Sequence, residues 1–127
     1  MPVRTMPSTL TIHPERRLVY TAFYGELRED EFMQHAETIR THPRFDPSYN
    51  EVVDLRGVTE LHASTDMVLK LAQRESLFYR ESKHVVIALP GLVFRLAKLF
   101  QGIAEETRPN LKVVRTPEEA FDYLIGN

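Results

Sequence analysis

The alternation of hydrophobic and polar positions along this chain predicts five strands and four helices. The predicted strands are Leu10–His13, Leu18–Tyr24, Glu51–Leu55, His84–Leu89 and Leu111–Val114. Pro14-Glu15-Arg16 lies in the short segment between the first two, which is a spacing typical of a hairpin. Gly25 is expected to end the second strand, and Gly57 to form a turn after the third.

The helices are predicted from helical spacing and from start and stop signals. They run from Glu29 to about His42, from about Thr65 to Tyr79, from Leu92 to about Glu106, and from Pro117 to Ile125. The last has the clearest start, because Thr116 can cap it and Pro117 suits its first position. The order ββαβαβαβα is typical of an α/β fold, in which right-handed crossovers join parallel strands. We therefore expect a five-stranded mixed sheet that is covered by helices.

Composition and charge narrow the class of protein. The chain of 127 residues is one domain's worth, and we expect a single domain over residues 9–127 after a flexible leader at 1–8. A net charge of −2 without a basic stripe argues against nucleic-acid binding. No apolar stretch approaches the ~18 residues of a membrane span, so no integral membrane segment is predicted. The absence of cysteine fits a cytoplasmic location.

The run Asp54-Leu55-Arg56-Gly57-Val58-Thr59, continuing through Leu61, His62, Ala63 and Ser64, resembles a known motif. With the element order from Thr9 to Ile125, it resembles the SpoIIAA-like group, relatives of the STAS domains of anti-sigma-factor antagonists. STAS domains carry an Asp-Ser-Ser-Gly-type run that opens a helix, and a partner kinase phosphorylates one serine in regulated members. Ser64 aligns with that serine, whereas His62 and Ala63 replace the aspartate and the first serine. The resemblance implies a SpoIIAA-like fold in a branch also related to the lipid-binding Sec14 fold.

Ser64 has two interpretations that the sequence leaves open. It is a candidate phosphorylation site at a helix N-terminus, or it caps the second helix by accepting a hydrogen bond from a backbone N–H near Met67. Asp54, His62 and Ser64 also suggest a catalytic triad, but no G-x-S-x-G elbow surrounds the serine. We therefore predict no catalytic residue. The scattered histidines lack metal-site spacing, so no metal or other cofactor is predicted.

Two helices carry side chains that do not fit a simple core-facing pattern. Glu75 falls inside the apolar arc of the second helix, which spans roughly 140°, so it either faces a cavity or reaches water or an arginine. The apolar arc of the third helix spans roughly 160°, which is wider than one core contact requires. Phe94 projects onto the polar side of that helix, beside Arg95 and Lys98. The wide arc either meets a second surface or lies centrally over the sheet.

These patterns, with the resemblance, support two functional hypotheses. The first is a non-enzymatic regulatory domain, expected to be a homodimer, that contacts a protein partner through the third helix and the loop before the second. Its candidate residues are Arg56, His62, Ser64, Phe94, Arg95 and Lys98, with Glu75 as a further candidate for ligand contact. The alternative is a carrier or sensor of a lipid or small apolar ligand, which rests on the wide arc and the Sec14 relation.

Overall fold

The computed structural model of this chain describes residues 8–126. Within that range its strands are β1 (Ser8–His13), β2 (Leu18–Arg28), β3 (Asn50–His62), β4 (His84–Ile87) and β5 (Leu111–Val114). The helices are α1 (Glu29–Arg40), α2 (Thr65–Gln73), α3 (Leu92–Ile103) and α4 (Pro117–Ile125), with 3-10 turns at Pro14–Arg16 and Ala104–Glu106. The predicted order of strands and helices is confirmed. The predicted leader lies outside the described residues except for Ser8, which begins β1.

The five strands form one mixed sheet in the order β1-β2-β3-β4-β5. The β1–β2 pair is antiparallel, and every later neighbour is parallel. Each crossover steps one strand in the same direction, so right-handed connections bring α1, α2 and α3 to the same face. We call it the three-helix face, and its strand side chains include Phe23, Val53 and Val86. The opposite side, the α4 face, is covered by α4.

The α4 face holds a well-packed cluster. Its buried members are Leu18, Val52, Val85, Ile87, Val114 and Ala120, and Tyr20, Tyr123 and Leu124 pack against them. Thr116 begins α4 as predicted, because its Oγ1 accepts a hydrogen bond from the backbone N–H of Glu119 at 3.2 Å. The short helix thus closes the side of the sheet that the crossovers leave bare.

Strands β2 and β3 are longer than predicted, and two glycines explain the difference. Gly25 has a φ of +66° and lies at a register shift, so it forms an irregularity inside β2 rather than its end. Gly57 continues β3 and does not form a turn. A Cβ at Gly57 would lie 2.6 Å from the Tyr24 ring and 2.9 Å from the Phe23 carbonyl oxygen. Gly57 therefore permits the close approach of β2 and β3.

Helix α2 is shorter than predicted and ends at Gln73. Phe78 had the spacing of a helix residue, but it is buried in a different cluster with Ile12, Val19 and Ile39. The backbone N–H of Tyr79 bonds to the Pro47 carbonyl at 2.9 Å, which holds this segment outside the helix. None of the helices in the described part of the chain is long and apolar enough to cross a membrane.

Candidate functional site

An apolar cavity of about 250 Å³ lies between the three-helix face and its helices. Side chains from α1, α2, α3 and four strands line it. Its apolar wall includes Phe23, Phe32, Val53, Leu61, Met67, Val68, Leu71, Val93, Leu96, Ala97 and Phe100. The cavity is therefore enclosed by chain segments that are far apart in sequence.

Helix α3 uses its wide apolar arc in two ways. Val93, Leu96 and Phe100 line the cavity. Leu92 and Leu99 face solvent, with 53% and 37% of their surfaces exposed. The excess apolar surface predicted for this helix thus divides between an internal void and the outside of the molecule.

Two polar side chains line the cavity at the amino ends of the parallel strands β3 and β4. Glu51 and His84 are register partners at the starts of β3 and β4. His84 Nδ1 lies 2.9 Å from Glu51 Oε1, and the histidine is buried. This hydrogen-bonded pair satisfies two polar side chains that would otherwise be costly to bury.

Arg108 brings a cation to the same end of the cavity. Its Nη1 donates to Thr107 Oγ1 at 3.0 Å and to the Arg74 carbonyl at 3.3 Å. Its guanidinium lies 5.4 Å from the centre of the Phe100 ring. Burial lowers the pKa of Arg108, Glu51 opposes that shift, and the positive charge of Arg74 adds to it. The group nevertheless stays charged at neutral pH, since an arginine pKa starts above about 12.

His35 is a neutral polar group in the cavity wall. Its Nε2 lies 2.7 Å from Thr21 Oγ1, and its ring packs against Phe23 with centres 5.0 Å apart. Burial lowers the pKa of His35, and Glu51 opposes that shift only in part. The imidazole is therefore neutral at pH 7.

The cavity reaches solvent beside the segment that follows α2. Arg74 and Glu75 line it and are exposed. The prediction that Glu75 lies within the apolar arc of a helix is wrong, because the helix ends before it. Glu75 both lines the cavity and is exposed to water, so its contact with a ligand stays a prediction.

Arg56 lies on the other face of the sheet. Its Nε and Nη2 donate to the two carboxylate oxygens of Asp54 at 3.0 and 2.8 Å, and Tyr20 donates to Asp54 Oδ2 at 2.8 Å. Burial alone would raise the pKa of Asp54, but these hydrogen bonds lower it overall. Burial and the bond to Asp54 raise the pKa of Tyr20 to about 12. The carboxylate of Asp54 is thus committed to a structural network.

The residues of the suggested triad are not brought together. Asp54 and His62 pair with Ala22 and Arg28, which are six residues apart on β2, so they lie about 20 Å apart at ~3.3 Å per residue. Ser64 caps α2, because its Oγ accepts from the Met67 N–H at 3.2 Å. The capping interpretation of Ser64 is confirmed, and its phosphorylation stays a prediction. The loop before α2 shrinks to Ala63 and Ser64, since β3 runs through His62.

The three α3 candidates have different surroundings. Phe94 is half-buried against the cluster of Ala97, Leu111 and Val113, and Arg115 lies 5.1 Å from its ring centre. The expectation that Phe94 projects onto the polar side is wrong, because β5 passes beneath this turn of the helix. Arg95 and Lys98 are exposed, as their sequence pattern indicates.

His62 takes part in one exposed acidic group. Its Nε2 lies 2.7 Å from Glu26 Oε1 and 3.6 Å from Glu60 Oε1. The three residues offer atoms within 4.8 Å of one another, a spacing that a metal ion could use. Arg28 already contacts the same oxygen of Glu26 at 2.6 Å. This arrangement is explained by ion pairing at the strand ends.

Sequence reasoning missed the polar residues of the cavity. Their spacing in the sequence gives His35 and His84 no role, and no local motif distinguishes Glu51 or Arg108. The available signal was that Glu51 and His84 each open a buried strand, where polar residues are unusual. Only the parallel register brings these two residues side by side.

Comparisons with known proteins agree with this architecture. Neither the protein-family models nor the curated proteins searched match the sequence. Among solved structures, the chain is similar to an uncharacterised protein of the DUF3478 family with a SpoIIAA-like fold from Shewanella loihica PV-4. The two share 15% identity with a TM-score of 0.61, over 98% of each chain. The chain therefore has a SpoIIAA-like fold, as its sequence resemblance implied.

Proposed function

We propose that this protein is a non-enzymatic binding domain that senses or carries a small molecule in the cavity of its three-helix face. The supporting observation is an apolar void of about 250 Å³ that opens at Arg74 and Glu75. A dry cavity of about 150 Å³ can hold one benzene ring, and pockets for drug-sized ligands begin at about 300 Å³. The proposed ligand is therefore small, of the size of one ring or a short acyl chain.

The energetics of packing support an occupant. Empty volume in a protein core costs about 24 cal/mol per Å³, because the lining atoms lose contacts. A ligand that fills the void restores those contacts. The non-enzymatic part of the proposal rests on the separation of Asp54 from His62 and on the capping role of Ser64.

Two phenylalanine substitutions on α3 test this proposal. Val93 lines the cavity, and its exposed neighbour Leu92 does not. We expect 1-octanol to shift the NMR methyl signals of Leu71 and Leu96 in the wild type and in Leu92→Phe. We expect no such shifts in Val93→Phe, because its ring occupies the void. Absent shifts in the wild type, or unchanged binding by Val93→Phe, would contradict the proposal.

A second candidate function is regulation through protein contact on α3, in a cytoplasmic homodimer. The observation that favours it is the exposure of Leu92 and Leu99 beside Arg95 and Lys98. We expect light scattering to report a dimer for the wild type and a monomer for Leu99→Asp. Leu69→Asp on α2 has similar exposure and serves as the control. A monomeric wild type would rule out the dimer.

A further inference from the structure

We infer that the cavity takes a small amphiphilic carboxylate, with its head group at Arg108 and its apolar body beneath α3. This inference rests on the proposed binding function and specifies the chemistry of the ligand. The charged side chains at one end of the cavity indicate the head group, and the volume of the cavity indicates the length of the apolar body.

The polar end of the cavity holds the half-buried cation Arg108, and Arg74 is exposed beside it with its Nη1 donating to Met33 Sδ at 2.7 Å. Arg74 and Arg108 both line it, and Arg108 Nη1 bonds to the Arg74 carbonyl at 3.3 Å. Within residues 8–126, no carboxylate oxygen lies within the 4.0 Å ion-pair distance of either guanidinium. Arg108 is the partly desolvated member of this pair, and a bound anion would stabilise its charge.

The half-buried acid in the cavity wall, Glu51, does not fill this role. Glu51 Oε1 already pairs with His84 Nδ1 at 2.9 Å, at the starts of β3 and β4. Glu75 is exposed at the opening, where water screens its charge. The positive end of the cavity is thus compensated only in part by the protein itself.

Arg108 has donors in the right place for a carboxylate. Its hydrogen bonds to the described residues use Nη1 alone, so Nε and Nη2 remain for a ligand. Together these two groups form the fork that binds both oxygens of one carboxylate. The ring of Phe100 supports the guanidinium from one face and so limits its motion.

The volume sets the length of the apolar body. By proportion with a benzene-sized cavity of about 150 Å³, the void holds about ten heavy atoms. Octanoate has about that many, and its chain would lie against Val93, Leu96 and Met67. A larger lipid with two acyl chains does not fit this volume.

Titration calorimetry with octanoate, 1-octanol and octylamine tests the inference, because the three share a chain and differ in head group. In the wild type we expect octanoate to bind roughly 10- to 100-fold more tightly than 1-octanol, and octylamine most weakly. Arg108→Gln should reduce octanoate affinity to that of octanol and leave octanol affinity unchanged. Arg95→Gln, an exposed arginine on α3 that does not line the cavity, is the matched control and should bind like the wild type.

The outcomes separate this inference from the proposed function. If 1-octanol fails to bind the wild type, the proposed function is wrong and the inference falls with it. If octanol binds and octanoate binds no more tightly, the cavity is real but the carboxylate assignment is wrong. Octanol binding by Arg108→Gln also reports that the variant is folded. If that variant does not fold, Arg74→Gln, exposed at the opening, should weaken octanoate several-fold without affecting octanol; equal effects on both ligands would overturn the inference.

Discussion

The two faces of the sheet show that more helical cover does not mean closer packing. One nine-residue helix closes the α4 face, where Val52, Val85 and Ile87 have no exposed surface. Three helices cover the other face and still enclose about 250 Å³. Separate clusters, one around Phe78 and one around Val113, pack at the two flanks of this face. The close-packed core and the cavity thus lie on opposite sides of one sheet.

The largest expected difference between the faces concerns truncation of core side chains. Ile87→Ala removes buried contacts on the α4 face and should lower the free energy of unfolding by about 2–5 kcal/mol. Leu96→Ala removes a half-buried side chain that already borders a void, and should cost only about 1 kcal/mol. Urea unfolding measures both values. Equal losses would mean that the faces are packed alike.

Enlarging an alanine should have opposite effects on the two faces. Ala120 has no exposed surface and lies in the α4-face cluster, so Ala120→Leu should destabilise the protein by about 1–3 kcal/mol. Ala97 lines the cavity, so Ala97→Leu should stabilise it by about 0.5–2 kcal/mol and abolish 1-octanol binding. Thermal unfolding with and without octanol checks both signs. Destabilisation of similar size by both variants would contradict the predicted difference in packing between the two faces.

The two faces should also lose stability in different pH ranges. On the three-helix face, burial lowers the folded-state pKa of His35 below the ~6.5 of the unfolded chain. Its contribution is present above that pH and is lost as pH falls through the folded value. On the α4 face, the pKa of Asp54 is lowered below the ~3.9 of the unfolded chain, so its contribution is lost only in stronger acid.

Substitution of each group should remove its own part of the pH dependence. His35→Gln should reduce the slope of the free energy of unfolding against pH in the range just below pH ~6.5. Asp54→Asn should lower the free energy of unfolding by about 1–3 kcal/mol at pH 7 and reduce its slope against pH in the more acidic range. Asp30→Asn, at an exposed position on α1, serves as a surface control. The assignment fails if either variant keeps the wild-type slope in its own range.

The smallest expected effect compares two helix caps of equal geometry. Ser64 and Thr116 each accept a hydrogen bond from a backbone N–H three residues later at 3.2 Å. Ser64→Ala and Thr116→Ala should each cost about 1 kcal/mol. Hydrogen exchange should show local opening of α2 in Ser64→Ala, since α2 borders the void, whereas α4 should open only with global unfolding in Thr116→Ala. The same exchange pattern in both variants would contradict this.

Local signals explain what the sequence predicted correctly. The bounds of β5 and α4 agree with the prediction, because the cap at Thr116 and the short apolar run before it involve neighbouring residues. The predictions for Gly25 and Gly57 are wrong, since a glycine can end a strand or permit close strand pairing, and only the partner strand decides. Helix α2 was predicted too long because Phe78 packs against a distant cluster.

The candidate site was only partly predictable for a related reason. The excess apolar surface of α3 is visible in its own periodicity, and the cavity accounts for much of it. The polar end is different, because Glu51, His84 and Arg108 come from separate crossover units. Their proximity depends on the parallel register of β3, β4 and β5, which no local pattern specifies.

The alternation of side chains along the central strands has an evolutionary consequence. Val52 is buried beneath α4 while Val53 lines the void, and Ile87 and Val86 divide in the same way. We therefore expect consecutive residues of these strands to differ in how well they tolerate substitution. A saturation-mutagenesis map should show a two-residue stripe along β3 and β4, in which intolerant positions alternate with positions free to diverge and change ligand preference. New specificity could then arise in this scaffold without loss of the fold.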